Sequence, residues 1–155
     1  MVARDGDGWV ECSCGSKHWG LHGAAGIALI RNGAIFLQHR APWVHNGDTW
    51  GLPGGARDSH ETIVEGAIRE AIEETGIDPS HIEVLTTFND DHGPWGYATV
   101  IARAESDLEG HELNDEAHEV RWVLFDDVTR LPLHQSFAKT WPLLRLEIEK
   151  AIAPR

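Results

Sequence analysis

The chain of 155 residues carries 13 Lys and Arg against 25 Asp and Glu, which gives a formal net charge of −12 at pH 7. That length is typical of one compact domain with a substantial core. The negative charge argues against broad binding to nucleic acid or to anionic membranes, because both are negatively charged themselves. No apolar run reaches the roughly 18 residues of a membrane span, and the N-terminus lacks the apolar core of a signal peptide, so we expect a cytoplasmic protein.

Residues 1–22 form an N-terminal extension that we expect to be able to form strands. Its Cys12, Cys14, His18 and His22 follow a C-x-C-x3-H-x3-H spacing and are of the types that bind zinc. The two cysteines are closer together than in the usual zinc knuckle, which favours reduced structural cysteines and surface histidines. Zinc at these four residues remains the alternative.

Two strands are predicted next, over Gly23–Ile30 and Ala34–Arg40. The Asn-Gly pair inside Arg31–Gly33 is a strong signal for a tight turn between them. Arg40 ends the second strand, and an irregular loop follows it. Trp43 in that loop suits either packing or stacking on a base, and the sequence leaves the choice open.

A helix is predicted from Ile63 to Thr75. Thr62 and Glu65 have the spacing of a capping box, and Gly76 stands where glycine best ends a helix. The apolar side chains recur at helical spacing and give the helix a stripe for the core; they are Ile63, Val64, Ala67, Ile68, Ala71 and Ile72.

Three carboxylates share one face of this helix, those of Glu70, Glu73 and Glu74. Like charges at this spacing repel one another, and a divalent cation among them would offset that cost. Mg²⁺ prefers carboxylate oxygens, together with water and phosphate oxygens. The alternative is a solvated acidic face.

The surroundings of the helix favour the metal site. The segment Gly55–Ile77 fits the signature G-x5-E-x7-R-E-U-x-E-E-x-G-U, where U is aliphatic, with the small Ala71 in the first aliphatic position. In this segment the chain resembles the Nudix hydrolases, which are also known as MutT-like proteins. The resemblance implies a single domain over residues 1–155, with an α/β/α sandwich, a mixed sheet and a catalytic loop–helix–loop. Periodicity alone indicates only mixed α and β structure.

The resemblance also implies roles for individual residues. The expected ligands of Mg²⁺, with Mn²⁺ as the alternative cation, are the carbonyl of Gly54 and the carboxylates of Glu70, Glu73, Glu74 and Glu116. Glu61 and Arg69 are expected to form an ion pair that holds these ligands in place. Glu70 or Glu116 is the expected base for the attacking water, and Glu74 is expected to be essential for catalysis.

The chain after the helix predicts two strands, over 81–88 and 97–104, joined by a polar hairpin loop that carries Trp95. Residues 105–119 are acidic and precede a strand over 120–125. Glu116 stands six residues before Trp122, where relatives place a distal metal ligand or the base, and Glu119 is the fallback.

The C-terminal segment, residues 133–153, predicts a closing helix whose apolar residues at helical spacing face the core. Pro142 is expected to kink or restart that helix, because proline lacks an amide donor and clashes with the preceding turn.

The predicted activity is hydrolysis of a phosphoanhydride bond in a nucleoside diphosphate joined to another group. The first candidate substrate is a nucleoside triphosphate; the alternatives are ADP-ribose or a sugar nucleotide, and a module that binds nucleotide without cleaving it. Arg40, Trp43 and Trp95 are the candidate substrate contacts, with Arg40 on phosphate. A homodimer is compatible with the family, although no exposed apolar stripe in the sequence requires one.

Overall fold

The computed structural model describes residues 4–11, 17–43, 47–91, 95–105 and 117–153. In chain order these ranges contain β1 (Trp9–Glu11), β2 (Lys17–Trp19), β3 (Ala24–Arg31), β4 (Ala34–Arg40), β5 (Trp50–Gly51), β6 (Gly54–Ala56), α1 (Ile63–Thr75), β7 (Ile82–Asp91), β8 (Gly96–Ala104), β9 (Ala117–Leu124) and α2 (Gln135–Ile152). Short 3₁₀ helices cover Pro79–His81 and Phe125–Arg130. Neither α-helix in these ranges has the length and apolar character needed to cross a bilayer.

A mixed sheet forms the centre of the fold. In the described part of the chain, its strands run in the order β5-β4-β3-β8-β7, with β6 also paired to β3 and β9 to β4. The β3–β8 pair is parallel, whereas β3 pairs with β4 and β6 in antiparallel fashion. A separate two-stranded sheet is formed by β1 and β2.

Helices cover the sheet on both faces, as the alternation of side chains along β3 makes clear. Ala25, Ile27 and Leu29 belong to the core beneath α1, while Ala28 and Ile30 belong to the core beneath α2. A strand buried on both faces needs a continuous apolar run, which is why GAAGIALI lacks the alternation of a half-exposed strand. The predicted mixed α/β fold with helices on both faces of the sheet is therefore confirmed.

The tight turn between β3 and β4 has the conformation that its sequence predicts. Asn32 and Gly33 have φ angles of 50° and 74°, both in the left-handed region that two-residue hairpin turns require. This turn fixes the register of β4, and with it the direction of the side chains that β4 sends toward α1.

Helix α1 begins and ends where its caps predict. The Thr62 hydroxyl accepts a bond from the Glu65 amide at 3.1 Å, and the Glu65 carboxylate accepts one from the Thr62 amide at 2.9 Å. Gly76 has a φ of 67°, and its amide donates to the carbonyl of Ile72. The helix is thereby fixed at both ends, as the position of its carboxylates requires.

The hairpin of β7 and β8 differs from the sequence prediction, and β9 covers Ala117–Leu124 rather than 120–125. Strand β7 continues to Asp91 and β8 begins at Gly96, so Asn89 pairs with Ala98 rather than lying in a loop. Pairing with β8 supplies the ladder bonds that these polar residues would otherwise make within a turn. Residues 92–94 lie outside the described ranges.

The C-terminal helix also differs, because α2 runs through Pro142 as one helix of 18 residues. Proline removes one backbone hydrogen bond from the helix. The buried side chains on either side of it, Trp141 and Leu144, anchor both halves of the helix to the same core and offset that loss. The expected restart of the helix is wrong.

The packing of α2 on the sheet can be tested at Leu144, with the neighbouring Leu143 as the control. Leu144 is fully buried, whereas Leu143 is 60% exposed. Leu144→Ala should lower the free energy of unfolding by about 2–5 kcal/mol, since it leaves a cavity, and Leu143→Ala should change it little. Urea denaturation measures both. Similar effects of the two substitutions would contradict the packing of α2 on the sheet.

Candidate active site

An ion pair joins the loop after β6 to α1. The guanidinium of Arg69 donates from Nε to one carboxylate oxygen of Glu61 at 2.6 Å and from Nη2 to the other at 2.8 Å. Nη2 also donates to the carbonyl of Ala56 at 3.1 Å. Two parallel bonds to a planar carboxylate fix both position and orientation, so the predicted pair is present and rigid.

The ionisation of this pair follows from its contacts. Hydrogen bonds from Arg69 lower the pKa of the Glu61 carboxyl more than burial raises it, and the Asp58 amide adds a further bond at 2.9 Å. The same carboxylate raises the pKa of Arg69 above its usual value. Both groups are therefore charged at neutral pH.

Glu74 is held by the loop and by the sheet. Its Oε2 accepts bonds from the Gln38 side-chain amide at 2.9 Å and from the Gly54 backbone amide at 3.2 Å. The residue is only 7% exposed. These contacts place the last turn of α1 directly beside Gly54, whose carbonyl the sequence predicts to be a metal ligand.

Glu70 lies against the backbone of Gly55. A Cβ atom at residue 55 would come within 2.7–2.9 Å of the carboxylate of Glu70, so a larger residue there would displace that carboxylate. Burial raises the pKa of the Glu70 carboxyl, and the neighbouring Arg69, whose Nη1 lies 2.9 Å from Oε1, acts in the opposite direction. A carboxylate with a raised pKa is better suited to accept a proton near neutral pH.

Glu73 is the most exposed of the three carboxylates, with 37% of its side chain accessible. Its Oε2 lies 3.3 Å from Nη1 of Arg69, and its Oε1 accepts a close hydrogen bond from the guanidinium of Arg4. Glu73 therefore lies between one cation of its own helix and one from the N-terminal segment.

The donors around α1 fit a hard divalent cation. Three carboxylates and the Gly54 backbone offer the oxygen ligands that Mg²⁺ or Mn²⁺ takes. Each carboxylate has its own partner, as described above: Glu70 has Arg69, Glu73 has Arg4, and Glu74 has Gln38. Binding one cation by several of them therefore requires their side chains to rotate away from these partners.

A different acidic group has its possible ligand atoms close together. In the ranges that the structure describes, one oxygen each of Asp5 and Asp58 and a ring nitrogen of His60 lie within 4.8 Å of one another. Asp58 already accepts bonds from the Gly6 amide and from Arg4, at 3.3 and 3.4 Å. Arg4 links Asp58 of this group to Glu73 of α1.

Other predicted ligands are placed only in part. Glu116 lies outside the described residues, and so do Cys12 and Cys14, so the proposed distal ligand and the zinc alternative stay predictions. Glu119 pairs with Arg121 at 2.8 Å. In the β4–β9 register, Val120 is opposite Gln38 and Glu119 is opposite His39. Glu119 therefore points to the other face of the sheet from Gln38, the residue that bonds to Glu74.

The candidate substrate contacts lie around this region in different settings. Arg40 is half-buried at the end of β4, and its amide donates to the carbonyl of Thr49 at 2.8 Å. Trp43 is 69% exposed. Trp95 stacks on the ring of His18 at a centroid distance of 4.1 Å, and its Nε1 donates to the Trp19 carbonyl at 3.3 Å.

Trp95 also borders a cleft of about 460 Å³ whose lining includes Arg57, Asn89 and Tyr97. One face of the Trp95 ring is covered by His18, so this side chain holds the N-terminal hairpin against the body of the protein.

Two residues of the site have no role in the sequence prediction. The position of Gln38 could have been predicted from the sequence, because the alternation of side chains along β4 places it on the same face as Phe36 and Arg40, toward α1. Its Oε1 is buried and has no hydrogen-bond partner among the described residues. Arg4 carries no such signal, since nothing in residues 1–22 predicts a contact with α1.

Comparison with known proteins agrees with this geometry. The family model of the NUDIX domain matches residues 20–144. The chain is 46% identical to a Mycobacterium tuberculosis protein named "Putative 8-oxo-dGTP diphosphatase 3", over 94% of this chain and 71% of that one. It is 42% identical to a nucleoside triphosphate pyrophosphatase/Nudix hydrolase fusion protein of Bifidobacterium longum, over 96% of this chain but only 33% of that one.

The fold agrees as well. The crystal structure of RenU, a Nudix hydrolase from M. smegmatis, superposes with a TM-score of 0.85 at 46% identity, covering 97% of this chain and 99% of that one. The matched residues include β3 to β9 and the whole of α1 with its carboxylates. The chain therefore belongs to the Nudix hydrolase family.

Proposed function

We propose that the protein is a Mg²⁺-dependent pyrophosphohydrolase that cleaves a nucleoside triphosphate to the monophosphate and pyrophosphate. The observation that carries this proposal is the position of Glu74, which is buried and bonded to both Gln38 and the Gly54 amide. Those two bonds bring the carboxylates of α1 to the glycine loop, where one cation can take ligands from both.

Glu73, Glu74 and the Gly54 carbonyl are the proposed ligands; Glu70 is a further ligand in the alternative in which Glu116 is the base. When bound, Mg²⁺ would neutralise charge on the phosphates and lower the pKa of a coordinated water. Arg69 and Glu61 keep α1 and the loop at a fixed distance, so the ligands meet the phosphates in one geometry. Neither of these two residues needs to touch the substrate.

Proton transfer is assigned to Glu70. Its carboxylate lies against the Gly55 backbone, and its raised pKa suits the removal of a proton from the attacking water. Glu116 remains the proposed alternative base, as well as a proposed distal ligand. The water attacks one of the two phosphorus atoms of the anhydride between the α- and β-phosphates. The bond from that phosphorus to the bridging oxygen breaks, and the leaving phosphate group keeps this oxygen and its negative charge.

Recognition of the substrate is assigned to the end of β4 and the loop after it. Arg40 is proposed to contact a phosphate and Trp43, which is largely exposed, to stack on the base. Trp95 is the third proposed substrate contact; His18 stacks on its ring, and the ring of Tyr97 lies 6.2 Å from it. A chain with a net charge of −12 needs such local cations to attract a polyphosphate.

The proposed substrate class is a purine deoxynucleoside triphosphate carrying oxidative damage. Support comes from the name of the Mycobacterium tuberculosis relative, "Putative 8-oxo-dGTP diphosphatase 3", which is 46% identical over 94% of this chain. The alternative substrates, ADP-ribose and sugar nucleotides, share the diphosphate on which the proposed ligands act.

Glu74→Gln should leave the fold intact and lower kcat by at least about two orders of magnitude, since the neutral amide is a poor ligand for Mg²⁺. Glu149→Gln, on the exposed face of α2, removes the same charge far from the site and serves as the control. Steady-state pyrophosphate release, with circular dichroism as the check on folding, measures the effect. Near-normal turnover of folded Glu74→Gln would contradict the assignment.

Glu61→Gln should lower the free energy of unfolding at pH 7 by about 1–3 kcal/mol, because Arg69 loses its charged partner. The pKa of Glu61 is lowered in the folded protein, so its contribution is complete above the unfolded value of about 4.3 and is lost as the pH falls through the folded one. The difference between variant and wild type should therefore shrink in acid. Urea denaturation at pH 7 and at successively lower pH measures it; a difference independent of pH would contradict the charged pair.

A substrate panel tests the proposed activity itself. Nucleoside triphosphates with oxidised and normal purines, ADP-ribose and a sugar nucleotide are each incubated with Mg²⁺ or with EDTA, and the products are separated by chromatography. We expect monophosphate and pyrophosphate from the oxidised triphosphate, with hydrolysis abolished by EDTA. If ADP-ribose alone is cleaved, the protein is an ADP-ribose hydrolase and the proposed substrate class is wrong. If no compound of the panel is cleaved, the remaining alternative is a module that binds nucleotide without cleaving it.

A further inference from the structure

The N-terminal segment, residues 4–8, lies directly on the loop that leads into α1. The Ser59 amide donates to Asp5 at 3.0 Å, and the Ser59 hydroxyl makes a second bond to the same carboxylate. The Gly6 amide donates to Asp58 Oδ1 at 3.3 Å, while the Gly6 carbonyl accepts from the Leu21 amide at 2.8 Å. The segment is thus held on one side by the loop and on the other by the chain that follows β2.

The approach of the two backbones is close. A Cβ atom at residue 6 would lie 2.1 Å from the carbonyl oxygen of Arg57, so only glycine allows the segment to lie where it does. This contact and the bonds to Asp58 and Ser59 fix the position of the residue that precedes them, Arg4.

The guanidinium of Arg4 bridges two carboxylates. Nη1 lies 3.4 Å from Oδ2 of Asp58, whose side chain is 3% exposed, and Nη2 bonds closely to Oε1 of Glu73. Asp58 is buried and fixed by its other bonds, so it acts as the anchor for Arg4. Glu73 is a proposed ligand of the divalent cation.

We propose that Arg4 is a positioning residue that sets the affinity of Glu73 for the divalent cation, because its guanidinium and the metal compete for the same carboxylate. This inference rests on the proposed metal site. Glu73 must release Oε1 from Arg4 to give that oxygen to a cation. The positive charge that stays beside it, anchored by Asp58, then repels the incoming ion.

A purely structural role for Arg4 predicts something different. If Arg4 only anchored the N-terminal segment, its loss would loosen the loop and leave metal binding unchanged or weaker. Competition predicts tighter binding, because removing the guanidinium frees Glu73 and makes the site more negative. The direction of the change therefore separates the two roles.

The test measures Mn²⁺ binding to the protein by electron paramagnetic resonance of the free ion, without substrate. Arg4→Gln should bind Mn²⁺ about twofold to fivefold more tightly than the wild type, which is the range that a partly exposed ion pair contributes. Arg4→Lys keeps the charge and should stay close to the wild type. Arg130→Gln removes the same charge from a side chain that is 80% exposed in the 3₁₀ helix after β9, and it should change nothing.

Two further measurements trace the effect to Glu73 and to charge. In a Glu73→Gln background the Arg4→Gln substitution should lose most of its effect, because the contested carboxylate is gone. Raising the ionic strength should reduce the difference between Arg4→Gln and wild type, since exposed charges are screened. An effect that persists in the Glu73→Gln background would overturn the assignment to that residue.

The outcomes also separate this inference from the proposed function. Wild-type protein that binds Mn²⁺ with an affinity unaltered or weakened by Arg4→Gln overturns the inference and leaves the proposed metal site in place. Wild-type protein that binds no Mn²⁺ at millimolar concentration overturns both.

Discussion

The bidentate pair between Arg69 and Glu61 is the contact on which the geometry of the site depends. It joins the middle of α1 to a loop that has little structure of its own, and the bond from Arg69 to the Ala56 carbonyl extends the link to β6. Because β6 pairs with β3, the position of α1 is set relative to the centre of the sheet. Contacts from Arg69 thus connect the buried sheet to the helix that carries the three glutamates.

The sheet has a second connection to the same helix, through β4. Gln38 donates to Glu74 in the last turn of α1, so the sheet and the glycine loop hold the same carboxylate oxygen. Helix α1 is therefore held at its N-terminus by the capping box, at its middle by the ion pair and near its C-terminus by Gln38. Few degrees of freedom remain except the rotation of the glutamate side chains.

Local signals in the sequence were sufficient for the core of this arrangement. The capping box and the Asn-Gly turn each depend on a few adjacent residues, so the bounds of α1 and the turn after β3 could be predicted. The ion pair was implied by the resemblance of Gly55–Ile77 to the Nudix signature. The contacts that could not be predicted join residues far apart in the chain. Arg4 and Glu73 are 69 positions apart, and no periodicity in the sequence relates them.

Two other predictions were wrong for the same reason, because contacts between distant parts of the chain decide the structure there. Asn89 and its neighbours have the composition of a turn, yet pairing with β8 draws them into β7. Pro142 has the local signature of a break, yet the core on both sides of it keeps α2 in one piece. In each case tertiary packing outweighs a local preference worth about 1–3 kcal/mol.

The C-terminal turn of α1 places chemistry in opposition to helix stability. Glu73 and Glu74 stand at the end of the helix where the macrodipole is negative, and no basic residue accompanies them in the last turn. Lysine or arginine there would stabilise an ordinary helix by about 0.3–1 kcal/mol. In this protein Arg4 and Arg69 supply the positive charge beside Glu73 instead, so a basic replacement at residue 73 would place like charges together and would also remove a proposed cation ligand.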